Sequence, residues 1–220
     1  MVLEGYRARV APYVARLARP FLGWSPNGLT GVALALAVAA AVLAALVHWT
    51  TPLLFLPVAV LIFLTGVFDV LDGAVARATG RASARGDFLD HVVDRYADLV
   101  IVLGIAVSGF ANPVLALLAL ASLLLTSYMG TQAQAVGAGR SYGGLLTRAD
   151  RLVVLALATF LEFDWSLPWP WAASEPWARF HLAGVEFTVI DVAFLYFVIA
   201  GQWTALARAV RTYRALPPAT

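Results

Sequence analysis

Asp69, Asp72, Asp87, Asp90, Asp94 and Asp98 crowd into one stretch of a chain that holds only 13 acidic residues in 220. Asp69 and Asp72 are spaced i,i+3, and Asp90 and Asp94 i,i+4, so on helices each pair shares a face. A short connection lets the two faces meet, and four carboxylates meeting there repel strongly. Divalent cations are the natural remedy, and oxygen-only ligation suits magnesium or manganese. The competing reading pairs these acids with Arg77, Arg85 and Arg95. That would serve one aspartate, but four at this spacing favour metal. Asp87 is read instead as a helix cap, and Asp98 as a partner of Arg95 or part of a polar cavity wall. Gly73, Ala76 and Gly86 are interleaved with the acids and leave room for close approach. Arg77 follows at once and can hold a phosphate with two parallel hydrogen bonds. Together these residues describe a site for a diphosphate.

A second cationic element lies downstream. Gly137 to Gly144 is glycine-rich but lacks the Lys-Ser/Thr ending of a phosphate-binding P-loop. Then come Thr147, Arg148, Ala149, Asp150 and Arg151. Arg148 and Arg151 are spaced i,i+3 and could face the aspartates together as a site for an acceptor's phosphate. The alternative is a pure topology signal.

The elements that must position these groups follow from composition. The chain is 61% hydrophobic and 13% charged, with a mean hydropathy of +0.82. A soluble domain is about half apolar and about a quarter charged, so a lipid-embedded bundle is expected. There is no cysteine, which excludes disulfides and thiolate metal sites. Six apolar stretches approach the roughly 20 residues needed to cross a bilayer: 29–47, 53–70, 88–107, 113–136, 152–163 and 187–210. The fifth is short and extends back through Arg148. Residues 1–24, with Arg7, Arg9, Arg16 and Arg19 between apolar positions, read as an amphipathic helix on the membrane surface, not a cleavable signal. Residues 25–220 then form one six-helix transmembrane domain, and the fold class is all-α integral membrane. With six spans, the arginine groups at 7–19, 77–85, 140–151 and 208–214 share one side, which is cytoplasmic by the positive-inside rule. The longest loop on the other side, 164–186, carries Trp165, Trp169, Trp171 and Trp177. It reads as an interfacial lid without chemistry.

The segment from Asp69 to Asp94 resembles the signature of the CDP-alcohol phosphatidyltransferase family, D-x-x-D-G-x-x-A-R-x8-G-x3-D-x3-D. Every defining position is matched, by Asp69, Asp72, Gly73, Ala76, Arg77, Gly86, Asp90 and Asp94. Pro26, Asn27, Gly28, Leu29 and Thr30 resemble the start of that family's first span. The resemblance implies transfer of a lipid phosphate from a CDP-linked lipid to an alcohol, with release of CMP. It implies that Asp69, Asp72 and Asp90 hold two magnesium or manganese ions on the CDP diphosphate. Asp94 would complete the second metal site and act as general base. Gly73, Ala76 and Arg77 would contact the cytidine and diphosphate, with Asn27 and Thr30 in the same pocket, although Thr30 reads equally as a helix-start residue. The Arg148–Arg151 element resembles the inositol-phosphate branch of the family, the archaetidylinositol and phosphatidylinositol phosphate synthases. Those enzymes often carry basic residues after a Ser-Tyr pair, whereas here Ser127 and Tyr128 precede the neutral stretch Met129 to Gln134. Glycerol phosphate therefore stands as the alternative acceptor, and serine behind it. The resemblance also implies a homodimer in the plasma membrane, with membrane lipids and no nucleic acid as partners.

Two other classes compete. Membrane prenyltransferases also use aspartates and magnesium on diphosphate lipids, but leave Gly73, Ala76 and Arg77 unexplained. A cation-coupled transporter would place its acids near the bilayer midplane, not beside arginines at span ends. Diacylglycerol and archaeol tails are equally compatible with the Leu-, Ala- and Val-rich spans.

Overall fold

The computed structural model describes residues 7–139, 144–167, 179–182 and 185–216. Seven α-helices are found among them: α1 Arg7–Ala18, α2 Pro26–Leu46, α3 Phe55–Ala78, α4 Ala84–Ala106, α5 Pro113–Ala135, α6 Arg148–Trp165 and α7 Val189–Ala215. Helices α2 to α7 fall on the six apolar stretches. One element departs from the all-α expectation. Arg179–Leu182 (β1) and Val185–Thr188 (β2) form a two-stranded antiparallel hairpin just before α7. It occupies part of the loop read as a lid. Trp169, Trp171 and Trp177 lie outside the described residues, as do Arg140 to Gly143 of the glycine-rich stretch.

Local chemistry sets the helix starts. Ser25 caps α2 ahead of Pro26, and Asn112 caps α5 ahead of Pro113. Each pairs a side-chain acceptor with a proline whose missing N–H costs nothing in the first turn. Thr147–Asp150 and Thr188–Asp191 form reciprocal capping boxes at α6 and α7. Ser83 caps α4 through its hydroxyl. The cap expected of Asp87 is therefore Ser83's, and Asp87 lies in the first turn, where a carboxylate suits the helix dipole.

Helix α2 packs along both α3 and α4, α5 packs along α7, and α6 lies mainly on α3 and α7. Small residues make the α2–α4 seam close. Ala37, Ala40 and Ala44 are fully buried beside Ile101 and Ile105. At Gly104 a side-chain carbon would stand 2.4 Å from the Ala41 carbonyl oxygen, so only glycine allows this crossing. The outer surface is apolar: Phe63, Leu117, Leu157 and Ile199 are each more than half exposed. A water-soluble monomer rarely shows such a surface, and lipid accounts for it.

Among the described residues four helices are long and apolar enough to cross a membrane: Pro26–Trp49, Pro52–Ala78, Pro113–Ala135 and Val189–Ala215. They mark the chain as a multi-pass membrane protein. Helix α4 carries Asp87, Asp90, Asp94 and Asp98, and the 18-residue α6 begins with Arg148, Asp150 and Arg151. These charges set the two helices apart from the other four.

The α2–α4 contact is testable. Gly104→Val overpacks it at a cost of roughly 1–3 kcal/mol, and each kcal/mol lowers the melting temperature of a domain this size by about 2–4 °C. A thermal melt of the purified protein should show that drop, and an unchanged melt would mean that α2 and α4 are not in backbone contact there.

Candidate active site

Helix α3 does not stop at residue 70 as the hydropathy suggested. It runs unbroken to Ala78, so Asp69 and Asp72 are held on a rigid helical face. A five-residue turn then leads into α4, which presents Asp90, Asp94 and Asp98 on successive turns of one stripe. The two faces meet as expected. Single carboxylate oxygens of Asp69, Asp72 and Asp90 all lie within 4.8 Å of one another. Asp94 stands one turn further along α4 and is not part of that trio.

The neighbours divide these acids into two groups. Asp72, 6% exposed, accepts a 2.6 Å hydrogen bond from the Thr30 hydroxyl on α2. The same hydroxyl lies 3.1 Å from the Pro26 carbonyl. Thr30 is thus a support for Asp72, while Ser25 starts the helix. Asp90 Oδ1 is buried and accepts no hydrogen bond. Among the described residues neither Asp72 nor Asp90 has an arginine at ion-pair distance. The remaining acids do. Arg148 Nη1 bridges α3 and α4, contacting Asp69 and lying 2.7 Å from Asp94. Arg151 Nη1 donates to Asp98 at 2.6 Å, and Arg95 joins Asp98 at 3.3 Å and Asp94 at 3.7 Å. The expected partners Arg77 and Arg85 make no such pair with these aspartates; only Arg95 does. Arg148 and Arg151, expected to serve a ligand side by side, part company: Arg148 reaches the aspartates, whereas Arg151 is 4% exposed and committed to Asp98.

A cavity of about 200 Å³ opens beside the trio, with Asn27, Thr30, Asp72, Gly73, Ala76, Arg77, Arg81, Ser83, Gly86 and Asp90 among its lining residues. All five residues expected to contact a nucleotide line it. Gly73 has a geometric reason: a side-chain carbon there would stand 3.2 Å from the Arg77 guanidinium. Its absence lets the Arg77 guanidinium lie against the helix at Gly73. A second, apolar cleft of about 300 Å³ runs between α1, α3 and α6, with Val14, Leu17, Phe63, Val67 and Leu152 in its walls and Asp69 also lining it.

The donor set fits a divalent cation. Three hard carboxylate oxygens converge, Asp90 Oδ1 is buried without a hydrogen-bond donor, and among the described residues Asp72 and Asp90 have no arginine at ion-pair distance. The family model for CDP-alcohol phosphatidyltransferases matches residues 24–190, which spans α2 to α6 and the entire cluster. The chain belongs to the CDP-alcohol phosphatidyltransferase family.

Relatives agree. The chain is 40% identical over 110 residues to the archaetidylinositol phosphate synthase of Methanothermobacter thermautotrophicus, covering 49% of this chain and 56% of that one. It therefore spans little more than half the length of that relative. It is 37% identical to the archaetidylinositol phosphate synthase of Aeropyrum pernix, covering 70% of this chain and 78% of that one. It is 32% identical to the phosphatidylinositol phosphate synthase of Mycobacteroides abscessus, covering 67% of each. The crystal structure of the Mycobacterium tuberculosis phosphatidylinositol phosphate synthase with manganese and citrate superimposes with a TM-score of 0.72 at 23% identity, covering 94% of this chain and 93% of that one. This last likeness establishes the fold.

Two features of this site carry no sequence signal. The Thr30–Asp72 bond joins residues 42 apart, and the Arg151–Asp98 bond joins residues 53 apart. The first can be tested without any ligand. Thr30→Val keeps the side-chain shape but removes the donor to a buried carboxylate, a loss of about 1–3 kcal/mol. Thr30→Val should melt lower than the parent protein, and Thr30→Ser, which keeps the hydroxyl, should recover most of the difference. Equal melts for Val and Ser would rule out the bond as a contributor.

Proposed function

We propose that this protein transfers a lipid phosphate from a CDP-linked lipid to the hydroxyl of a phosphorylated polar alcohol, inositol phosphate first, and releases CMP. The observation that carries the reading is the convergence of Asp69, Asp72 and Asp90 beside a cavity walled by Gly73, Ala76, Arg77 and Asn27. Asp94, one helical turn on from Asp90, pairs with Arg148. Relatives named as inositol-phosphate-type synthases support the acceptor.

Each residue then has a task. Asp69, Asp72 and Asp90, with Asp94 beside them, would hold magnesium or manganese, two ions on the family pattern. When bound, such ions draw charge from the diphosphate and stabilise CMP as it leaves. Arg77 reaches the cavity with a guanidinium that suits the diphosphate. Asn27 and Thr30 close the α2 side. Asp94 takes the proton from the acceptor hydroxyl as its oxygen bonds to the lipid-bearing phosphorus and the bond to CMP breaks. Arg148, beside Asp94, carries the charge to hold the acceptor's phosphate next to this base. Arg151 supports from behind, and the side-by-side phosphate site is revised accordingly. The apolar cleft that reaches Asp69 suits the hydrocarbon tail, whether diacylglycerol or archaeol.

The membrane placement follows. Helices α4 and α6 complete six spans with the four apolar helices. Helix α1 lies at the interface with Tyr13 and Leu17 exposed, and with Arg16, and Arg19 just after the helix, toward headgroups. The acid cluster faces the cytoplasm of a plasma membrane, by the arginine bias of the loops. A homodimer is proposed on the family resemblance.

CMP release from CDP-diacylglycerol and CDP-archaeol, with inositol phosphate, glycerol phosphate and serine as acceptors, tests the reading. Activity should require magnesium or manganese, and Asp69→Asn, Asp72→Asn or Asp90→Asn should each remove most of it. Full turnover in excess chelator would sink the assignment. Glycerol phosphate as the preferred acceptor would move the chain to the alternative branch, which the neutral Met129 to Gln134 stretch favours. Arg148→Ala removes one charge-assisted contact worth roughly 1.5–3 kcal/mol, so the acceptor KM should rise about ten- to a hundredfold. The KM for the CDP-lipid should change much less. Equal shifts in both constants would argue against an acceptor site at Arg148.

A further inference from the structure

Beyond Asp94 lies buried charge for which the proposed chemistry has no use. Asp98 is 3% exposed and Arg151 4%. Arg151 donates from Nη1 to Asp98 Oδ2 at 2.6 Å and from Nε to the Thr147 carbonyl at 3.4 Å. Arg95 donates to the same Asp98 oxygen at 3.3 Å and lies 3.7 Å from Asp94. Nothing here opens to a ligand.

What the pair does follows from where it stands. Helix α6 packs mainly on α3 and α7, and α4 is not among its main partners. The base belongs to α4 and the acceptor arginine to α6. Two ion pairs cross between these helices, Asp94 with Arg148 and Asp98 with Arg151. They form a ladder of two rungs, with i,i+4 spacing on one side and i,i+3 on the other. The outer rung, Asp94–Arg148, is the one substrate must engage. The inner rung, Asp98–Arg151, is sealed. Holding two helices together does not require it, since apolar residues of similar volume do that as well or better than a buried ion pair. Directional bonds add something apolar packing does not: they fix the rotation and the axial register of the first turn of α6 against α4.

We propose that Asp98 and Arg151 are positioning residues: their buried ion pair sets the register between α4 and α6 that brings the Arg148 guanidinium alongside Asp94. This rests on the proposed roles of Arg148 at the acceptor and Asp94 as base. Arg95, bonded to Asp98 and close to Asp94, ties the base to the same anchor. Neither Asp98 nor Arg151 touches substrate.

The test separates register from stability. Asp98→Asn alone leaves Arg151 buried without its counter-charge and lowers the melting temperature under any reading. The informative variant is the double replacement Asp98→Leu/Arg151→Met, which removes both charges and fills the space. It should melt within a few degrees of the parent protein. Its acceptor KM should nevertheless be raised about tenfold or more, with the CDP-lipid KM within twofold. A purely structural pair predicts both constants unchanged once the melt is restored, and that result would overturn the proposal. Arg151→Lys covers the case in which the double variant does not fold. It keeps the charge, but a single ammonium cannot reproduce the fixed fork to Asp98 and Thr147. Its acceptor KM should rise at least threefold, and an unaltered value would overturn the proposal. A crystal structure of either variant with Arg148 still seated on Asp94 would overturn it as well, without reference to turnover. Failure of the functional reading looks different: the parent protein would then release no CMP with any acceptor.

Discussion

Mutual repulsion among five carboxylates at one end of an apolar bundle is the constraint around which this site is organised. One oxygen from each of Asp69, Asp72 and Asp90 lies within 4.8 Å of the others, and two unit charges at about that separation repel by about 3 kcal/mol even at an effective dielectric near 20. Three guanidiniums, Arg95, Arg148 and Arg151, meet Asp69, Asp94 and Asp98. Among the described residues two of these acids have no arginine at ion-pair distance, and these two, Asp72 and Asp90, are the ones of the five that border the polar cavity. The arginines therefore do not cancel the cluster. They meet Asp69, Asp94 and Asp98 and leave Asp72 and Asp90 with an excess negative charge that a divalent ion would match.

The fold can be read as the means of holding that imbalance in place. Unbroken helix through Asp69 and Asp72 keeps both carboxylates from swinging apart. Thr30, from a third helix, pins Asp72 through a hydroxyl that is itself within reach of Pro26. The close crossing of α2 and α4 at Gly104 and Ala41 lies well away from the chemistry along α4. It nevertheless fixes the tilt with which α4 carries its acidic stripe past α3. A capping box starts α6 at Arg148, so the bridging arginine projects from the first turn of a helix whose N-terminus is firmly set.

Local features of this arrangement were legible in the sequence, and distant ones were not. The i,i+3 and i,i+4 aspartate spacings gave the convergence on two helices, and the glycine, alanine and arginine between them gave the cavity wall. Hydropathy located α2 to α7, but it ended the second span at residue 70 because charge lowers hydropathy without breaking a helix. Asp87 looked like a cap because acids favour first turns; Ser83, four residues earlier, has the extended backbone and free hydroxyl that the cap position needs. Which arginine neutralises which acid depends on how α6 docks, and no pattern within a few residues encodes that. Arg148 and Arg151 are indistinguishable by type and spacing. Three residues along a helix nevertheless separate them by about 4.5 Å along the axis and about 60° around it, enough to place one at the site and bury the other.

The two cavities give the same trio of acids a second meaning. From one side, a polar recess reaches Asp72 and Asp90; from the other, an apolar cleft between α1, α3 and α6 reaches Asp69. A molecule occupying both would need a hydrophilic head, a hydrocarbon tail and a strongly anionic link where the acids converge. A water-soluble nucleotide would leave the cleft empty, and an ordinary phospholipid would leave the recess empty. A nucleotide joined to a lipid through a diphosphate uses both and places its link at the acids. Helix α1 contributes Val14 and Leu17 to the cleft, so it forms one wall of the proposed tail path. It thereby connects the membrane-facing part of the molecule to the reacting phosphorus in the proposed reaction.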